Sequence, residues 1–338
     1  MKITKYTISY FFFGLFLSLI LYMSGIIKLF ETIISLIIYS IFFYFIYYLW
    51  KSFRKKEKKG FDEYLKIFIY KATIFIYVMF FIVGGFAYYN NEISPAMMPE
   101  YTITNGDKIV VFQSMSHIAK QNFYNEVEKN IQKFKSNSGV YFYEGVKPGT
   151  KESSEKFDEA LGINFTPDLY KHMSRLYGVT FQDNNRFLGL VNNLDFNVDL
   201  DLDQIIKIYE EKKINKKNKK DAENKQIINA SEEILNKLNL LKDKELEVLI
   251  YINQAILNLV IKNDKEAKEL LKDFGNQDLF SVILDERNDN LSKEIMSSKY
   301  SKIYITYGLL HFEGVFELLK KQDSNWKIVK TNYLYPIK

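Results

Sequence analysis

Apolar and polar positions divide the chain near residue 91. Before that point lie three uncharged apolar runs: 22 residues between Lys5 and Lys28, 19 between Glu31 and Lys51, and 20 between Lys71 and Glu92. About 20 apolar residues at 1.5 Å rise per residue match a hydrocarbon core of about 30 Å. A helix also keeps its backbone hydrogen bonds internal there. The pattern predicts three membrane-spanning helices, with Tyr47, Tyr48, Trp50, Tyr88 and Tyr89 at interfacial positions. The first run exceeds the apolar core of a signal peptide, and a second span follows it directly.

Between the second and third runs, Lys51–Gly60 carries six basic residues against the single acid Glu57. Such a loop is retained in the cytoplasm. The amino terminus is then also inside, and everything after about Asn91 lies outside the cell membrane. Lys71, near the inner end of the third span, can extend to the headgroups. The spans hold nothing polar enough for an ion pathway, so they read as an anchor. The expected organisation is a three-helix anchor over 1–91 with a cytoplasmic basic loop at 51–64. A linker and lead-in strand over 92–106, with Pro95 and Pro99, lead to an extracytoplasmic domain over 107–338.

From residue 107 the apolar spacing becomes that of a globular domain. "DKIVVFQSM" (Asp107–Met115) and "GVYFYEGV" (Gly139–Val146) read as strands. Between them Phe123, Val127, Ile131 and Phe134 recur at helical spacing. Strand, helix and strand of these lengths predict a βαβ unit with parallel strands. Thr166 and Pro167 mark a helix start. Ser231–Lys262 is helical in pattern, and Val282–Ser298 reads as a short strand running into a helix. Lys302–Gly308 is a strand, His311–Lys321 a helix and Trp326–Tyr335 a closing strand. The alternation predicts an α/β domain with a central, largely parallel sheet flanked by helices.

Composition narrows the chemistry. The 338 residues contain no cysteine, which excludes disulfides, thiolate metal sites and a cysteine nucleophile. Net charge is only +5. The lysine-rich run Glu210–Lys225 lacks interleaved aromatics and reads as a solvated helix end, which argues against nucleic acid as a partner. Asp195, Asp199, Asp201 and Asp203 lack the glycine and terminal glutamate of an EF-hand loop, and are expected at solvated edges.

Two of the three histidines share a local setting. His117 follows the strand ending near Gln113, and His311 follows the strand ending at Tyr307; Glu144 ends the strand that starts at Val140. Ligands bind beyond the carboxyl ends of parallel strands. If these strands are neighbours, His117, Glu144 and His311 meet at one sheet edge. Two imidazoles and a carboxylate suit a divalent ion such as Mn²⁺, Co²⁺ or Zn²⁺, which would activate water. Glu144 would alternatively serve as general base. His172 has no such context and reads as a helix-surface residue.

The motifs "SMSH" (Ser114–His117), "YFYEGV" (with Glu144 and Gly145), "DERND" (with Arg287) and "GLLH" (Gly308–His311) resemble the TraB/PrgY/GumN group, which includes the Tiki proteases. The resemblance covers roughly Lys108–Val146 and Leu284–Trp326. It implies an erythromycin esterase/ChaN-like fold and a membrane-associated, metal-dependent peptidase-like activity on an extracytoplasmic peptide or related carbonyl substrate. His117, Glu144 and His311 would take the metal sites, with Glu144 and Arg287 catalytic. Arg287 would fix Glu144 or hold a substrate carboxylate, and Gln182 matches a polar position in the middle region. Ser114 departs from the pattern, where the group has glycine. Serine there is expected to fit with slight strain, or the site to have turned to binding. The competing expectation is a non-catalytic membrane protein that sequesters a peptide signal in the same cleft.

Overall fold

A computed structural model describes residues 5–161, 167–215, 230–274 and 276–338. The chain divides into two compact units, residues 1–88 with 237–252, and residues 89–236 with 253–338.

The first unit holds α1 (Lys5–Phe53) and α2 (Phe61–Tyr88). The expected three apolar helices are thus two. The polar turn at Lys28–Glu31 does not end a helix, because the two side chains pair at 2.8 Å across one helical turn. The break in α1 falls at Gly25 instead, where φ is 81° and ψ −176°. Side-chain pairs along α2 define what happens there. Tyr6 meets Tyr70, Ser9 bonds Thr73 and Phe16 meets Phe80, so both helices advance together. Tyr44 meets both Phe61 and Tyr64, while Phe43 meets Phe68, in the opposite sense. A straight helix would travel about 57 Å from Tyr6 to Tyr44, yet their partners Tyr70 and Tyr64 lie about 9 Å apart along α2. The long helix therefore doubles back at Gly25. At that reversal the Ser24 hydroxyl bonds Glu245, and Lys244 Nζ lies 3.0 Å over the Tyr22 ring. Phe11, Ile27 and Phe81 are 64, 72 and 79 % exposed, so this unit presents apolar side chains outward.

The backbone region at Gly25 is open almost only to glycine. Gly25→Ala is expected to destabilise the first unit by about 1–3 kcal/mol, read as a lowered unfolding midpoint in detergent. An unchanged midpoint would mean that the reversal is not specified by this residue.

In the second unit the helices are α3 (Gln121–Ser136), α4 (Lys151–Leu161), α5 (Pro167–Tyr177), α6 (Asn184–Leu188) and α7 (Leu202–Asn215), followed after α8 (Ala230–Asn239) and α9 (Asp243–Lys262) by α10 (Asp264–Phe274), α11 (Gln277–Ser281), α12 (Arg287–Ser297) and α13 (Phe312–Gln322). Both α8 and α9 contribute residues to each unit. The strands are β1 (Met98–Thr104), β2 (Ile109–Met115), β3 (Ile118–Ala119), β4 (Val140–Tyr143), β5 (Thr180–Phe181), β6 (Phe196–Asn197), β7 (Lys302–Gly308) and β8 (Lys327–Leu334). The main sheet runs β6-β4-β7-β2-β1-β8. β6, β4, β7 and β2 are mutually parallel, and β1 pairs antiparallel with both β2 and β8.

Alternation along each strand feeds two cores. Phe112, Phe142, Ile303 and Ile305 face Leu291, Ile295, Val315 and Leu319 of α12 and α13. Val111, Tyr141 and Tyr304 face Phe123, Val127 and Ile131 of α3. Each such buried side chain contributes about 1.5–3 kcal/mol, which outweighs the strand preference of the β-branched residues within α3. The result is a sheet covered by helices on both faces, as the sequence pattern predicts.

Three local expectations change. The lead-in strand expected within 92–106 is β1 of the main sheet, but the segment before it is no free linker: Asn90 and Asn91 are buried and bonded to Lys262 and Asn258. Val282–Glu286, read as a strand, is a π-helical turn leading into α12, because it packs on α7 and not on the sheet. The aspartates of 195–203 are not simply solvated. Asp195 pairs with Lys135, and Asp199 is buried. Asp201 and Gln204 form a reciprocal cap at the start of α7, with Gln204 N–H donating to Asp201 Oδ1 at 2.8 Å and Asp201 N–H to Gln204 Oε1 at 2.9 Å. Thr166 and positions 216–225 of the charged run lie outside the described residues.

Candidate functional site

Parallel pairing places the three strand ends side by side. β7 lies between β4 and β2, with Thr306 opposite Tyr143 and Gly308 opposite Met115. Glu144 therefore emerges next to Gly308, and the Gly308 N–H donates to Glu144 Oε2 at 2.6 Å. Gly308 is followed by a single turn of 3-10 helix, Leu309–His311, which brings the His311 ring back over the strand end. A Cβ at Gly308 would stand 3.3 Å from His311 Cδ2 and 3.5 Å from Glu144 Oε2. Glycine at this position lets the two side chains close over the backbone, and its φ of −52° shows that space, not a left-handed conformation, is what it supplies.

The His311 ring is buried, 4 % exposed. Its Nδ1 lies 2.7 Å from Asn288 Oδ1, and its plane stands at 90° to Tyr307 with centroids 4.7 Å apart. Burial, then the neighbouring Arg287, Lys268 and His117, pushes its pKa well below the ordinary value. This favours the uncharged ring. With Nδ1–H donating to the Asn288 carbonyl oxygen, Nε2 retains its lone pair.

Beneath this corner is a charged network. Arg287 Nη2 donates to Glu144 Oε1 at 2.6 Å and to Asp199 Oδ2 at 2.6 Å, and Nε donates to Asp199 Oδ1 at 2.7 Å. Asp199 also accepts from the Tyr307 hydroxyl at 2.9 Å and from the Gly145 N–H at 3.2 Å. Arg287 and Asp199 side chains are 6 % and 0 % exposed, and Glu144 is 16 % exposed. Burial would push the guanidinium down, yet Glu144, Tyr307 and Asp199 together hold its pKa above the ordinary value. Burial also raises the Tyr307 phenol. Of the two roles expected for Arg287, the geometry corresponds to fixing Glu144.

No protein-family model, curated protein or solved structure matches the chain. The likeness to the TraB/PrgY/GumN group therefore rests on the quoted motifs alone.

The other expected residues fall as follows. His117 follows β2 on the adjacent strand end, is exposed, and stacks on Phe181 with centroids 6.3 Å apart. Its carbonyl accepts from Gln182 N–H at 2.8 Å, which places Gln182 beside it. Among the described residues, no group of three or more His, Asp or Glu side chains gathers closely enough to hold an ion. Glu144 and His311 meet, and His117, on the adjacent strand end, does not complete such a group with them. The three do not form a three-ligand set as placed, and both oxygens of Glu144 already accept hydrogen bonds. Ser114 sits in regular register opposite Tyr307 without positive φ, so the expected backbone strain is absent. Its Oγ is buried and has no hydrogen-bond partner. His172 lies on α5 and is half-buried.

Asp199 and Asn288 escaped the sequence reading. Asp199 hides in an acid-alternating stretch whose neighbours do unrelated work. Asn288 was findable, because it directly follows Arg287 in "DERND".

Proposed function

We propose that this chain is a membrane-anchored hydrolase, similar to the TraB/Tiki type, that acts on a peptide or related carbonyl substrate outside the cytoplasm. The observation that carries the reading is the meeting of Glu144 and His311 over Gly308 at the carboxyl ends of two adjacent parallel strands. A water held at this corner would give its proton to His311 Nε2 as it attacks the carbonyl carbon, and the same proton would pass to the leaving group. Glu144 would orient the water and favour the imidazolium that forms. Arg287 and Asp199 are positioning residues that hold Glu144. His117, on the neighbouring strand end, would face the substrate. Among the described residues no three such donors gather closely enough to hold an ion, and the proton transfers above need none.

Two features support the anchor. The apolar exterior of the first unit suits lipid, and the reversal at Gly25 lets the long helix cross twice, giving three crossings with α2. The basic loop at 51–60 and the reversal at Gly25 lie at opposite ends of the bundle. This supports a cytoplasmic loop, with the segment around Glu245 on the other side.

A second reading, sequestration without chemistry, is favoured by the engagement of both Glu144 oxygens. The test uses full-length protein in lipid nanodiscs with a peptide mixture from a protease digest, with and without Mn²⁺, Co²⁺ or Zn²⁺. New cleavage products are expected, at rates about 10²-fold lower in His311→Ala and Glu144→Gln. Peptides retained without cleavage, and retained equally by Glu144→Gln, would sink hydrolysis and leave sequestration.

A further inference from the structure

Within the second unit a cleft of about 690 Å³ opens along β1, β8, α10 and α13. It shares a wall with the proposed reacting corner: Leu309 and Leu310, the two residues between Gly308 and His311, line it. Its floor carries Tyr101, Phe312 and Phe316, whose rings form a nearly parallel ladder, with Tyr101 and Phe312 centroids 3.7 Å apart at 12° and Phe312 and Phe316 5.6 Å apart at 10°. Ser114 also lines it, fully buried, with a hydroxyl that has no partner. Charges stand at the rim in mixed sign, as in the exposed Lys265–Glu313 pair, so the cleft selects by apolar contact and not by net charge.

We propose that this cleft is the specificity site of the hydrolase and takes an extended peptide segment with aromatic side chains next to the bond delivered to Glu144 and His311. This rests on the hydrolytic reading above. The volume suits a segment of about three residues, since apolar ligand sites run from about 300 to 1,000 Å³. The aromatic ladder gives offset or edge-on partners to incoming rings.

The experiment compares acetyl-Gly-Ala-Phe-Phe-Ala-Gly-amide with its Ala-Ala counterpart. Binding is measured by saturation-transfer NMR and competition on full-length protein in nanodiscs, with empty nanodiscs as the blank. The aromatic peptide should bind at least about tenfold more tightly, the effect of burying one aromatic side chain. Ile328→Trp, an exposed β8 position at the cleft, should abolish that preference by filling the space, and Phe316→Ala should weaken it by removing one ring. Equal binding of the two peptides, or a preference untouched by both variants, overturns the proposal. Repeating the titration with His311→Ala separates the two readings. A preference that persists there while the native protein cleaves nothing sinks hydrolysis alone, and cleavage indifferent to the aromatic residues sinks the cleft alone.

Discussion

Arg287→Ala is expected to lower the stability of the second unit by about 3–5 kcal/mol. The guanidinium bridges Glu144 and the buried Asp199 through three hydrogen bonds of 2.6–2.7 Å. Removing it leaves two carboxylates facing each other with no cation, and the desolvation cost of Asp199 then stands unopposed. The size of the loss therefore measures uncompensated charge more than lost contact. Arg287→Lys should fall between the two, because an ammonium keeps the charge but cannot span Asp199 bidentately and reach Glu144 at once. Denaturant titrations of the full-length protein would show this as a shifted midpoint. A loss below about 1 kcal/mol would mean that water, and not Arg287, satisfies the carboxylates.

The second large effect is on acid stability. A histidine in the unfolded chain takes up a proton near pH 6.5. His311 in the fold resists protonation until well below that value, because of burial first and then Arg287, Lys268 and His117. Below about pH 6.5 the unfolded state therefore binds more protons than the native state, so stability is full above this pH and falls as the pH drops. The slope approaches about 1.4 kcal/mol per pH unit. His311→Gln retains a donor for Asn288 and does not titrate, so the difference between the two slopes isolates this group from every other acid. Parallel slopes for the native protein and His311→Gln would show that the imidazole is not held neutral by the fold.

The groups facing His311 are legible in the sequence to different degrees. The strand ends at Glu144 and Gly308, the helix α3 and the apolar runs follow from periodicity, because burial imposes it. The neighbourhood of β4, β7 and β2 does not, since order within a parallel sheet is set by crossover connections that leave no local pattern. Asp199 is invisible for a related reason: its partner Arg287 is 88 residues away. The entry into β1 looked like a linker because Pro95 precedes the strand and Pro99 is its second residue. Pro99 is tolerated in a strand next to the antiparallel edge strand β8, where the backbone pattern is less demanding than among the parallel strands. The position of the reversal at Gly25 escaped because its mark is one glycine, three residues before an ordinary helical ion pair, Lys28–Glu31.

The position of β7 has a consequence for how the chain matures. This strand sits between β2 and β4, yet it begins at Lys302, far along the chain from Tyr143, where β4 ends. Until Lys302–Gly308 arrives, β2 and β4 each present an open parallel edge with no neighbour on that side. Such long-range pairing is slow and leaves unpaired strands vulnerable to association with other chains. It also means that Glu144 has neither the Gly308 amide nor His311 beside it until β7 and the turn after it are made. A chain stopped before β7 would therefore carry β2 and β4 without the corner that joins Glu144, Gly308 and His311.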